Sequence, residues 1–360
     1  MAKKSKAAKA AAAESSSLNS TSNAKPSQKS SPSTSSGSGS AAKTKQLEQE
    51  VPPPPPTFFP FASYTATVGV HTTLLVFTAL FLPQAVTPTL HELFESSSSS
   101  QRSGDAQGRT QAQQTSLDRP QHPFLDALTL DPVATLICVC VGAALLQGWW
   151  GGWVRGWGVD YALRRSEYAL QGGRPRGEMN KKEEKDAEVE RRVERANVDG
   201  RKFANLLNAW LVTGAFALLF YAVLILFGAP LLSHIAHTAL LAVLLAVLTA
   251  FPASYALGSP TSSETTRFTW LRLFAEFDPH TPLERALLYP AVGALVGAWA
   301  GAVPMALDWD RAWQTYPLPP LFGAVAGYVL ASLGALTVSG VRFFAEEDMR
   351  MRREAAASGR

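Results

Sequence analysis

The chain has 360 residues, 46% hydrophobic and 17% charged, with a formal charge of +4 and only two cysteines. Cys138 and Cys140 both lie inside an apolar block and read as small apolar filler, so a disulfide scaffold is excluded. A nucleic-acid partner is excluded as well. The Lys and Arg residues flank apolar blocks about 20 residues long, the length that crosses a bilayer core of ~30 Å.

Residues 1–57 are rich in Ser, Ala and Lys and end in the run Pro52 to Pro56. Such a composition buries too little apolar area to offset chain entropy, so this tail is expected to be disordered. It has no apolar core of the kind a cleavable signal needs, which leaves the first span to direct insertion. The sequon Asn19-Ser20-Thr21 matters only if the tail is lumenal.

The membrane domain is expected over 58–341, with spans at about 63–82, 132–154, 205–228, 231–257, 286–307 and 319–341. The first stops at Pro83, and a polar, Ser- and Gln-rich loop over 83–131 reads as a flexible insertion. The second span ends in Trp149, Trp150, Trp153 and Trp157, a pattern expected of an interfacial belt. The loop 155–204 is densely charged, and 180–197 suits either a solvated helix or a disordered loop. Gly228-Ala229-Pro230 forces a turn between the third and fourth spans, giving a tight hairpin. Pro252 falls inside the fourth span, a polar connection covers 258–285, and 342–360 form a short charged tail. The fold class is therefore all-α, a polytopic helical bundle of about six transmembrane helices.

Segments beside spans carry excess Lys and Arg on the cytosolic side. Of the 33 Lys and Arg, 29 lie in the N-terminal tail, the loops 155–204 and 258–285 and the C-terminal tail; four lie in the alternate loops. Both termini are thus expected in the cytosol. The loop 83–131, the turn at Gly228 and the loop 307–318 then face the lumen.

Two features occupy 290–328. Gly293, Gly297 and Gly301 recur every four residues on the fifth span, as do Gly323 and Gly327 on the sixth, with Ala331 extending the row. Residues four apart share a helix face, and glycine permits close packing in lipid, either between these spans or with a partner's helix. Between them the lumenal loop packs Asp308, Trp309, Asp310, Arg311, Trp313 and Gln314 into seven residues. Arg311 has Asp308 or Asp310 as an ion-pair partner, and the indoles suit headgroup anchoring. Docking a lumenal partner or holding a lipid headgroup are the functional alternatives.

The stretch Pro290 to Tyr328 resembles the signature of the Pig-F family. It has Gly297-Ala298-Trp299, Gly301-Ala302, Pro304, Leu307-Asp308-Trp309-Asp310-Arg311, Trp313-Gln314, Pro317, Gly323-Ala324 and Gly327-Tyr328 in order. Ala306 and Ala312 depart from the family pattern, standing where many members have proline. The resemblance implies a non-catalytic, stabilising subunit in the endoplasmic reticulum membrane. It would bind the transferases that add ethanolamine phosphate during GPI-anchor biosynthesis, with the catalytic domains and metal ions belonging to those enzymes.

The chain's own residues offer little chemistry. Phosphotransfer needs clustered Asp and His ligands with a nucleophile. His91 and His122 lack ligand spacing, and His234 and His237 share a helix face with no carboxylate or cysteine close in sequence. No cofactor or metal is implied. His71, alone in the first span, is expected to pair with a neighbouring helix. No Asp or Glu stands in the centre of a span, which weakens a small-solute or lipid transporter. An integral-membrane lipid-headgroup transferase using Asp308, Asp310 and Arg311 is the other alternative.

Overall fold

A computed structural model describes residues 59–98, 122–170, 202–230, 232–307 and 309–358, with 185, 188, 189, 192, 193 and 200 from the connection between. The expectations for the 1–57 tail, its sequon at Asn19, and much of the 83–131 and 155–204 loops lie outside the described residues. Asp308 does too.

Most of the described residues are helical, with no strand among them. The helices are α1 (Phe61–Ser98), α2 (Pro123–Leu130), α3 (Pro132–Leu170), α4 (Lys202–Leu226), α5 (Ile235–Leu257), α6 (Glu264–Phe274), α7 (Pro282–Ala302) and α8 (Leu318–Ser358). Six of them, α1, α3, α4, α5, α7 and α8, are long and apolar enough to cross a membrane. In hydrocarbon no water satisfies the backbone, so each span must close its own hydrogen bonds, as a helix does. The buried hydroxyls follow the same logic. Thr72, Thr213, Thr249, Ser254 and Ser332 each donate to the carbonyl four residues earlier, at 2.5–2.8 Å.

Local chemistry sets the ends. After α4, Gly228 takes φ 98°, and the Gly228 and Ala229 amides donate back to Ile225 and Leu224 at 2.9 and 3.0 Å. This is the glycine-terminated Schellman cap, and it turns the chain into α5. The start of α7 is a capping box. Thr281 accepts from the Glu284 amide at 3.1 Å, Glu284 reaches back to the Thr281 amide, and Pro282 opens the helix. Glu284 also accepts from Arg272 of α6 at 2.7 Å.

Several elements differ from the sequence reading. Pro83 sits within α1, which continues to Ser98. Proline is tolerated in membrane helices when neighbours re-satisfy the freed carbonyl. Helices α2 and α6 lie in segments that read as loops. Both are short and carry polar residues, so hydropathy over a span-length window passes over them. The tryptophan row divides by helical period: Trp150 and Trp157 are buried with Val154 on one face, while Trp149 and Trp153 are exposed. In α8 the helix carries on through the charged tail, over 41 residues and about 60 Å.

Helix α5 is the centre of the bundle, buried over most of its length against α3 and α4. Its Leu241, Leu244, Leu245 and Leu248 share a core with Leu75, Leu136, Leu321 and Tyr328. A second cluster gathers Tyr64, Val68, Trp150, Trp157, Leu283 and Leu287 where α1 and α7 begin. Cys138 and Cys140 are free, and the Cys140 thiol donates to the Leu240 carbonyl at 3.4 Å. Helix α4 is peripheral, packing mainly on α5.

Candidate docking site

The site is the α7–loop–α8 hairpin, the most extensively packed pair among the described helices. The five signature glycines face one another across it. A Cβ at Gly297 would lie 2.9 Å from the Gly327 Cα and closer still to the Gly323 carbonyl oxygen. Gly293 meets Gly327 and Ala331, and Gly301 meets Pro319 and Pro320, equally closely. No side chain separates the two backbones, so the rods are held at contact distance from Gly293 to Gly301, about two turns. The fourfold spacing therefore serves the packing of the chain's own spans.

At the end of the seam α7 tightens into a 3-10 turn, Val303–Ala306, and the chain crosses to a second one, Ala312–Gln314. Gln314 organises the crossing. Its side-chain amide donates to the carbonyls of Pro304 at 2.6 Å and Leu307 at 2.9 Å, while its side-chain oxygen accepts from the Arg311 amide at 2.9 Å. Both ends of one side chain thus clamp the loop onto the end of α7. The loop is anchored on its other side by Tyr316, whose hydroxyl donates to Thr238 of α5 at 3.0 Å. Partial burial raises the Tyr316 phenol above its ordinary pKa, against the opposing pull of that hydrogen bond. The 312–314 turn also rests against α2.

What the clamp displays is acidic and aromatic. Trp309 is 53% exposed and its ring lies 5.8 Å from that of Trp313, tilted by 55°. Asp310 is exposed and left-handed at φ 49°, so the backbone reverses between the two indoles. No ion pair joins Arg311 to Asp310 among the described residues. The described signature residues thus come together as one knob, exposed at Trp309 and Asp310 and half-buried at Arg311, Trp313 and Gln314, with Asp308 outside the described residues. The role of Gln314 as clamp was not legible from composition; its three-residue distance from Arg311, the capping-box spacing, is the available signal.

The histidine pair sits nearby with a different geometry from the one expected. His234 precedes α5 in a left-handed conformation, φ 58°, rather than lying on the helix face. Its ring stands perpendicular to that of His237 at 4.9 Å. Among the described residues no group of three or more His, Cys, Asp or Glu is placed to hold a metal ion. The knob offers hydrogen bonds, charge and indole surface.

The model of the GPI biosynthesis protein family Pig-F matches residues 121–336. The chain is 42% identical over 122 residues to "Glycosylphosphatidylinositol anchor biosynthesis protein 11" of Pyricularia oryzae, covering 34% of this chain and 42% of that protein. It is 36% identical over 110 residues to the Homo sapiens "GPI ethanolamine phosphate transferase, stabilizing subunit", covering 31% and 48%. The Yarrowia lipolytica anchor biosynthesis protein 11 is 32% identical over 149 residues, covering 39% and 61%. The matches thus span about half the length of these curated relatives. No solved structure matches the chain.

Proposed function

The chain belongs to the GPI biosynthesis protein family Pig-F, and on that footing we propose that it is a non-catalytic membrane subunit that binds and stabilises GPI ethanolamine-phosphate transferases. One observation carries the reading: the knob exposes Trp309 and Asp310 while Gln314 clamps it onto the end of α7, whose backbone is in contact with that of α8. A loop that must be gripped loses little entropy on binding if it is already ordered. An exposed indole beside charge, backed by a half-buried second one, is the kind of surface that anchors protein interfaces. The chain would sit in the endoplasmic reticulum membrane among its lipids, with both termini cytosolic and the knob in the lumen, and the chemistry would belong to its partner.

The test is gentle solubilisation of the tagged chain from its own membranes, followed by identification of what co-purifies. A transferase is expected to come down with it. Failure to recover one would overturn the proposal. Turnover of lipid substrate by the pure chain would point instead to a headgroup transferase, and solute flux in proteoliposomes to a transporter. Either would replace the reading.

A further inference from the structure

Helix α6 stands between two spans without being one. The chain leaves α5 at Leu257 and enters α7 at Pro282, so the connection that holds α6 begins and ends on one side of the bilayer. Its residues, Glu264 to Phe274, divide by helical period. Trp270 and Leu273 are buried. Phe268 and Leu271, three apart on the opposite face, are 68% and 52% exposed, and Ala275 continues their row in the open. A short helix that turns two large apolar side chains outward needs something apolar to cover them.

The buried face sets the depth at which that cover must be found. The Trp270 indole donates to the Gly258 carbonyl at 3.0 Å, and its ring lies 5.9 Å from that of Phe216 in α4. Phe216 stands about 21 Å from one end of α4 and about 15 Å from the other, well inside a core of ~30 Å. Helix α6 is therefore anchored, through one pair of rings, at a level where the surroundings of an outward face are hydrocarbon. Charge is handled accordingly. Arg272 donates to the Asp278 carbonyl at 3.1 Å and pairs with Glu284 of α7 at 2.7 Å, so its guanidinium is matched at the flank of the helix. Of the other charges, the exposed Glu264 and Glu276 outnumber Arg267, which gives acidic headgroups no pull. Burial of apolar surface is left as the driving force.

We infer that α6 is an interfacial helix whose Phe268–Leu271 face is seated among the acyl chains of the leaflet on the side where α5 ends and α7 begins. Its partner is the lipid surface, taken by apolar contact and without a call on headgroup charge. The Arg272–Glu284 pair ties this anchor to the start of α7, so the hairpin is held to the bilayer at the end opposite its knob.

Spin-label accessibility in the full chain, reconstituted in phosphatidylcholine vesicles, tests this. Nitroxides at Phe268→Cys and Leu271→Cys are compared with two references: Leu218→Cys, 74% exposed near the middle of α4, and Ser358→Cys at the charged end of α8. Cys138 and Cys140 are buried, and the unsubstituted chain gives the background. Both α6 labels should collide with oxygen, which concentrates in hydrocarbon, several-fold more than the Ser358→Cys label does. They should also be shielded from a water-soluble nickel chelate as Leu218→Cys is. Labels as open to the chelate as Ser358→Cys would put the face in water. Labels shielded from both probes would put protein on it, a second copy included. Either result overturns the inference. Because both side chains point outward, the unlabelled variants should melt with the wild type in detergent; a midpoint lower by several degrees would mean they pack inside the protein, and would overturn it too.

Discussion

Gln314 makes three hydrogen bonds with one side chain, and two of them need the amide nitrogen. Replacing it with Ala leaves the part-buried Pro304 carbonyl and Arg311 amide and the exposed Leu307 carbonyl to find other partners, at about 1 kcal/mol. Gln314→Glu keeps the acceptor and loses both donations, so it should harm the loop nearly as much as Gln314→Ala. Both variants should lower partner recovery on co-purification while the chain stays membrane-integrated. Recovery at wild-type level in Gln314→Glu would remove the clamp from the argument. Asp310 gives a second contrast. At φ 49° a glycine is at ease, an aspartate is tolerated, and a β-branched residue is strained. Asp310→Val should therefore disrupt docking through the backbone. Asp310→Gly isolates the carboxylate: retained recovery means shape is read, and lost recovery means charge is. In the sequence these residues showed type and order but not bonding, because a loop's hydrogen bonds depend on where its two ends are brought.

At the scale of elements, the seam between α7 and α8 is governed by what a single methyl would strike. Gly297→Ala drives a Cβ into the Gly323 carbonyl oxygen, and neither backbone can swing aside as a side chain would. The helices must part, losing contact over the whole seam. Gly214 of α4 meets nothing within 4 Å, so Gly214→Ala should be neutral or stabilising by up to about 1 kcal/mol, from helix propensity. Thermal melts in detergent should separate the pair by several degrees. Equal melts would mean the seam does not hold the hairpin together. The glycine rows were legible because a period of four marks one helix face. Which helix that face meets was not, and the sequence reading left both the protein's own spans and a partner open. Helices α2 and α6 escaped for another reason. Each is held by caps, His122 Nδ1 accepting from the Phe124 amide and Ser263 from the Thr266 amide, rather than by a long apolar run.

For the whole molecule, six spans and the skew of Lys and Arg make one claim about sides. An even number of crossings places the two ends together, and the knob at 307–317 lies one crossing from the end of α8. The last charged turns of α8 stand well beyond a ~30 Å core, with Arg350 and Arg352 pairing to Glu354 and Asp348 at 2.9 Å on an exposed face. Their charge suits water, and the skew of Lys and Arg would put them on the cytosolic side. The two native thiols suit a labelling test because Cys138 and Cys140 are buried and inert toward aqueous reagents. In sealed microsomes a membrane-impermeant maleimide should modify Ser358→Cys directly. Trp309→Cys should react only after the membrane is permeabilised, since the knob would lie in the lumen. Labelling of Trp309→Cys in intact vesicles would put the knob in the cytosol. The docking reading would then fail even if both glycine rows pack as described, because a partner in the lumen cannot grip a surface on the far side of the bilayer.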